Sequence, residues 1–216
     1  MRSFLQKNKD KAIHFRIEPG LLLTKCDLGR AFLLKLNGEK WMVYHPGSLY
    51  EEREFTSSVE LAYGKCVLSG LGFGILAGML LENPKVSSIT VYEVSKEVIE
   101  MNRLHGESFK KIEVIHKSIR DVRGITCDCL LLDHYEKEKD VVILNDVIAI
   151  SENIDANCIW FWRAEPMIQR FKDKGKIANI EEAYNLWVTQ TGLTNLPKFT
   201  KKQLTHYIDQ WQHYNI

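Results

Sequence analysis

The sequence predicts an α/β protein: a parallel sheet covered by helices on both faces, preceded by a β-hairpin and followed by a helical tail. Three observations predict it. From Lys65 to Trp162, short continuous apolar runs alternate with stretches of helical periodicity, and continuous rather than alternating apolar runs mark strands buried on both faces. Before that region, Asn37-Gly38 separates two strand-like segments. After Trp162 the apolar runs stop and helix-capping signatures take over.

Ala31 to Leu36 and Glu39 to Tyr44 flank Asn-Gly, the pair that most readily takes the positive φ values of a two-residue hairpin turn. Pro46-Gly47 then breaks the chain. Phe55, Val59 and Ala62 or Tyr63 follow at helical spacing within 49–63, so a helix leads into the first central strand. The core then reads as strand 66–69, helix from about 74 to 82, strand 88–93, and a helix from 96 capped by Ser95. Strands 112–116 and 129–132, a helix over 141–150 and a strand over 158–162 complete it. In the tail, Asn179-Ile180-Glu181-Glu182 and Thr200-Lys201-Lys202-Gln203 both place an acid or amide three residues after a capping side chain, with Pro197 between them. Trp187, Tyr207, Trp211 and Tyr214 recur at roughly helical spacings and form an apolar face for the sheet or for a partner subunit. Trp160 and Trp162 share one face of a strand and read as core. The chain thus divides into an N-terminal hairpin extension (1–48), a sheet core (49–165) and a helical segment packed on it (166–216).

With 45% hydrophobic and 26% charged residues, the chain has the composition of an ordinary globular domain. A net charge of +1 provides no field to gather a polyanion, so no nucleic-acid partner is expected. Cysteines at 26, 66, 127, 129 and 158 lack metal-ligand spacing and read as reduced, mostly buried thiols; no metal is expected. Residues 1–10 carry no apolar signal core, and no run approaches membrane-spanning length. A cytoplasmic protein without a membrane partner is the expectation, with a homo-oligomer compatible with the aromatic tail.

The most informative stretch is Ser69-Gly70-Leu71-Gly72-Phe73-Gly74 after the first core strand, followed by Glu93 at the end of the second. Glycines allow a ligand to approach the backbone, the following helix presents free N–H groups, and an acid about 20 residues on reaches a ribose hydroxyl. Tight packing alone is another use of such glycines. Gly72-Phe73-Gly74-Ile75-Leu76-Ala77 also satisfies the dinucleotide pattern G-x-G-x-x-G/A, which keeps a nicotinamide enzyme open. Against it, some 65 residues and a hairpin precede the loop, no basic residue flanks Glu93, and Asp133-His134-Tyr135-Glu136 stands at the end of the fourth strand, where a substrate would sit.

Taken with Val114 to Val122 and the Glu51-Glu52-Arg53-Glu54-Phe55 segment, the span from about 20 to 162 resembles the class I S-adenosylmethionine-dependent transferases. The hairpin, the Glu-Arg-Glu-Phe segment, the loop and the Asp133 cluster are arranged as in spermidine synthases. Val114 to Val122 with Asp133-His134-Tyr135 is similar to guanidinoacetate and related arginine methyltransferases. The chain departs from both: Thr56-Ser57-Ser58 stands for the polyamine family's Tyr-His, and Ser69 for the methyltransferases' usual acid. The resemblance implies a Rossmann-like class I methyltransferase sheet with S-adenosyl-L-methionine as cofactor. Ser69, Gly70, Leu71, Gly72 and Gly74 would then pack against its methionine portion. Glu93, with Val94 beside it, would accept from the ribose, and Lys117, Ser118 and Ile119 would border the adenine. Asp133 would contact donor and acceptor and serve as general base, with Tyr135 and Glu54 completing the catalytic side, and His134 is a further candidate substrate contact. The implied reaction is methyl transfer to a small-molecule amine or guanidine. Aminopropyl transfer of the spermidine synthase kind and a non-catalytic binding role are the alternatives.

Overall fold

The computed structural model describes residues 14–17, 21–25, 32–36, 39–44, 53–105, 111–135 and 138–212, with side chains described over 53–103, 111–135 and 138–210. Four N-terminal strands, β1 (His14–Ile17), β2 (Leu21–Lys25), β3 (Phe32–Leu36) and β4 (Glu39–Tyr44), pair antiparallel in chain order. β3 and β4 are the predicted Asn-Gly hairpin, and β1 and β2 extend it into a four-stranded sheet.

After α1 (Thr56–Leu61), the chain alternates β5 (Gly64–Ser69), α2 (Ile75–Glu82), β6 (Val86–Glu93), α3 (Lys96–His105) and β7 (Glu113–His116). A 3₁₀ turn at Ile119–Asp121 leads into β8 (Ile125–Leu132), α4 (Asp140–Ser151) and β9 (Ile154–Phe161). These five strands form one parallel sheet in the order β7-β6-β5-β8-β9. The fold is Rossmann-like. Consecutive strands leave β5 in opposite directions, so a crevice opens beyond its carboxyl end, between the β5 and β8 loops.

Side-chain alternation along the strands divides the core. Val67, Leu130, Leu132, Ile159 and Phe161 face α4 together with the tail helices α5 (Ala164–Gly175), α6 (Ile180–Thr191) and α7 (Lys201–Gln212). Cys66, Leu68, Cys129, Leu131 and Trp160 face α2 and α3. Leu68, Leu130 and Leu132 have no exposed surface, as a sheet covered on both sides requires. Cys66, Cys129 and Cys158 lie side by side in register as free thiols, and Cys26 lies outside the described residues.

The predicted caps have the expected bonds. Ser95 Oγ accepts from Val98 N–H at 3.2 Å, Asn179 Oδ1 from Glu181 N–H at 3.0 Å, and Thr200 and Gln203 exchange bonds in a capping box. Trp187 and Tyr207 are buried in the core; the side chain of Trp211 and the whole of Tyr214 lie outside the described residues. After β9 the described chain is helical. The loop between α6 and α7 runs along β9, where Ile159 N–H donates to Asn195 O at 2.9 Å and Asn195 Nδ2 donates to Ala156 O at 2.8 Å.

Candidate functional site

Strand register sets the site. Ser69, the last residue of β5, pairs with Tyr92 of β6 on one side and Leu132 of β8 on the other. Gly70, Glu93 and Asp133 therefore stand in one row just past three adjacent strand ends. Two backbone bonds hold that row, from Gly70 N–H to Tyr92 O at 2.9 Å and from Asp133 N–H to Ser69 O at 3.0 Å.

At Gly70, φ is +84°, and a Cβ there would lie 2.4 Å from the Asp133 carbonyl oxygen. Only glycine permits so close an approach of the two loops. The turn closes through Gly74 N–H to Leu71 O at 2.7 Å and is held to α3 by Asn102 Nδ2, which donates to Gly72 O at 2.9 Å. Glu93 is 3% exposed, and its two carboxylate oxygens accept separately from Leu71 N–H and Ser95 N–H, both at 2.8 Å. Each oxygen keeps lone-pair capacity for another donor, so the acid both fixes the loop and offers acceptors at its edge.

A cavity of about 240 Å³ opens over this row. Ser69, Gly70, Leu71, Gly72, Glu93, Val94, Ser118, Ile119, Asp133 and Tyr135 line it, all of them residues singled out from the sequence. Gly74 forms the α2 end of the loop without lining the cavity. Lys117 is also outside the lining: its N–H continues the β6–β7 pairing through Glu93 O at 3.0 Å, and its side chain is exposed. Glu54 lies one residue before the lining residue Phe55 and does not line the cavity; Glu51 and Glu52 lie outside the described residues.

The apolar wall, from Phe55, Phe73, Ile75, Leu76 and Tyr92, was not assigned from the sequence, where these residues read as core or spacing. Phe55 is set by the Trp160 ring, edge-on with centroids 6.3 Å apart. The Trp160 indole N–H in turn donates to Ser57 Oγ at 2.9 Å and to Glu165 Oε1 at 3.2 Å, and Ser57 donates to the same carboxylate. Ser57 and Ser58 are both buried, with Ser58 Oγ donating to Phe55 O at 2.7 Å.

The polar wall holds a network that sequence reasoning missed. Ser69 Oγ is hydrogen-bonded to His134 Nδ1, and His134 Nε2 lies 2.9 Å from Asp146 Oδ2. Arg120 grips Asp146 with both Nε (2.7 Å) and a terminal nitrogen (3.0 Å), and Tyr135 O–H donates to Asp146 at 3.1 Å. Burial raises the Asp146 carboxyl pKa, but hydrogen bonds and charge from Arg120 and His134 outweigh it and hold the pKa below the usual value. Burial depresses the His134 pKa below 6.5 despite the Asp146 hydrogen bond, while burial and the Asp146 charge push the Tyr135 hydroxyl well up. One signal for Asp146 was present: Asn145-Asp146 interrupts the otherwise apolar run Val141 to Ile150.

Asp146 neutralises the one arginine among the described lining residues, and the acids Glu93 and Asp133 line the same largely apolar space. Such a site suits a ligand with apolar rings, hydroxyls and a positive centre. Among the described residues no three potential metal ligands gather, and no helix is long and apolar enough to cross a membrane.

No protein-family model and no curated protein matches the sequence. Solved structures resemble the fold at low identity. A spermidine synthase in complex with the transition state analogue AdoDATO aligns with 66% of this chain and 52% of its own at 16% identity and a TM-score of 0.47. Spermidine synthase from Thermotoga maritima aligns over 66% and 53% at 15% identity, again with a TM-score of 0.47. A probable spermidine synthase from Corynebacterium glutamicum covers 64% and 58% at 12% identity, TM-score 0.44. The chain spans little more than half the length of these structures.

Proposed function

We propose that the protein binds an S-adenosyl sulfonium donor in the cavity and transfers a carbon group from it to an amine or guanidine. The observation that carries this reading is the row of Gly70, Glu93 and Asp133 at the switch point: a turn only glycine can make, a buried acid with spare acceptor capacity, and a second acid across the crevice. When bound, a sulfonium donor supplies an electrophilic carbon. Glu93 would accept from its ribose hydroxyls, Leu71, Phe73 and Ile119 would pack on its apolar portions, and Asp133 would accept from N–H groups of the acceptor, whose attacking nitrogen is uncharged. Positioning supplies most of the rate in such a site.

Methyl transfer from S-adenosylmethionine is the first form of this reading. Aminopropyl transfer is the second, favoured by the pairing of Arg120 with Asp146: among the described lining residues no other cation faces a donor's carboxylate, which the decarboxylated donor lacks. Titration calorimetry with S-adenosylmethionine, its decarboxylated form and S-adenosylhomocysteine tests both. Binding of at least one is expected, and silence with all three at millimolar concentration would overturn the reading. Glu93→Gln is expected to weaken that binding at least tenfold, because an amide can accept through one atom only and sets an NH2 against a backbone N–H.

A further inference from the structure

Ser69, His134 and Asp146 come from three separate elements, β5, the loop after β8 and α4, yet they meet in one chain of hydrogen bonds that ends at the cavity wall. Each atom has a definite part. Asp146 carries Arg120 on both oxygens and is a charged acceptor, so it orders the proton of His134 onto Nε2. With Nε2–H donating to Asp146, Nδ1 has only its lone pair to offer and must accept from Ser69 O–H. The serine oxygen then keeps its own lone pairs for a donor in the cavity, which Ser69 lines.

We infer that Ser69, His134 and Asp146 form a proton relay that takes the proton lost by an acceptor nitrogen at Ser69 Oγ and delivers the serine's own proton to His134 Nδ1. The relay rests on the group-transfer reading above. As the acceptor nitrogen bonds to the donor carbon, the carbon–sulfur bond breaks with its electron pair passing to sulfur, and the nitrogen gains positive charge. Its proton moves to Ser69 Oγ while the Ser69 proton moves to Nδ1, giving an imidazolium paired with Asp146, which returns the proton to solvent after product leaves. Ser69 thereby joins the base to the cavity. Asp133 stays a ligand for the acceptor.

The groups that face His134 are Asp146 from α4, Arg120 from the turn after β7, Ser69 from β5, and Tyr135 and Glu138 from its own loop. The burial that depresses its pKa leaves a neutral imidazole at physiological pH, the form the relay needs. Asp146 acts through His134 and is a positioning residue.

The test has two arms on the full chain. In the first, nitrogen-15 NMR of the imidazoles at pH 7.5 reads the tautomer without any turnover. A proton on Nε2 of His134, moved off it in Asp146→Asn, is the expected result; a proton on Nδ1, or on both nitrogens, leaves Ser69 no acceptor and overturns the relay. In the second, donor consumption is followed against pH with a panel of amines. Wild type should show a rate that rises with pH through a midpoint below 6.5, and His134→Gln and Ser69→Ala should each lose about 10² to 10⁴ in kcat together with that limb. Donor binding, measured by calorimetry in His134→Gln, should stay within a few-fold of wild type. Retention of both rate and limb in either variant would overturn the relay. Calorimetric silence towards every donor would remove the transfer reading and leave the tautomer result standing by itself.

Discussion

At the scale of single residues, Gly70 shows how much one missing methyl group decides. Its φ of +84° and the Asp133 carbonyl 2.4 Å from its would-be Cβ are two independent obstacles to any side chain. Because the obstructing atom is backbone, it can yield only if the β8 loop shifts, and the row with Glu93 shifts with it. Gly70→Ala is therefore expected to lower the unfolding free energy by about 1 to 3 kcal/mol and to abolish donor binding in calorimetry; unchanged binding would show that the loop does not depend on this contact. The places of Gly70, Glu93 and Asp133 at the cavity were legible in the sequence because a glycine turn after a strand and acids at the ends of its neighbours fall at the switch point of a parallel sheet. Asp146 and Arg120 were not, since their meaning lies in contacts between α4 and the turn after β7, which no local pattern records. Lys117 takes part through its backbone alone, its N–H donating to Glu93 O, while its side chain is exposed outside the cavity.

At the scale of elements, the core strands were readable where both faces are buried and less so where one face is wet. β8 begins at Ile125, four residues before its predicted start, because its first half alternates Cys127, buried, with the half-exposed Asp128, which accepts from Lys65 N–H at 2.7 Å. α6 and α7 announced themselves by their caps. By contrast α5 opens at Arg163 with a φ of 71° and no side-chain cap bond, and it carries Pro166 in its first turn, where a missing N–H costs nothing. The capping box of α7 gives a measurable consequence. Thr200→Ala should cost about 0.5 to 2 kcal/mol in urea unfolding, with an unchanged slope against denaturant. An unchanged midpoint would mean that packing of Leu204, Tyr207 and Ile208 alone fixes the helix start.

At the scale of the whole molecule, the buried network ties stability to pH. Below an unfolded-state pKa near 6.5, the unfolded chain gains a proton at His134 that the folded protein, with its depressed pKa, takes up only at lower pH. The contribution is fully present above pH 6.5 and is lost as pH falls through the folded value. Asp146 acts with the same sign lower down: its stabilisation is present above its unfolded value of 3.8 and is lost as pH falls through its lowered folded one. The melting temperature should thus begin to decline on acidification below about pH 6.5. In His134→Gln the first part of that decline should flatten, leaving the lower one; a parallel decline in both proteins would assign the acid sensitivity to other groups.

The sheet's free side has a consequence of its own. Among the described residues β9 is an edge strand, and an uncovered edge offers its row of N–H and C=O groups to any extended peptide, including the same strand of another copy. Here Asn195 occupies that row twice, its carbonyl taking Ile159 N–H and its side chain meeting Ala156 O. The loop between α6 and α7 thus occupies part of the edge that a further strand would use. One asparagine in a connecting loop stands where the backbone of a sixth strand would pair.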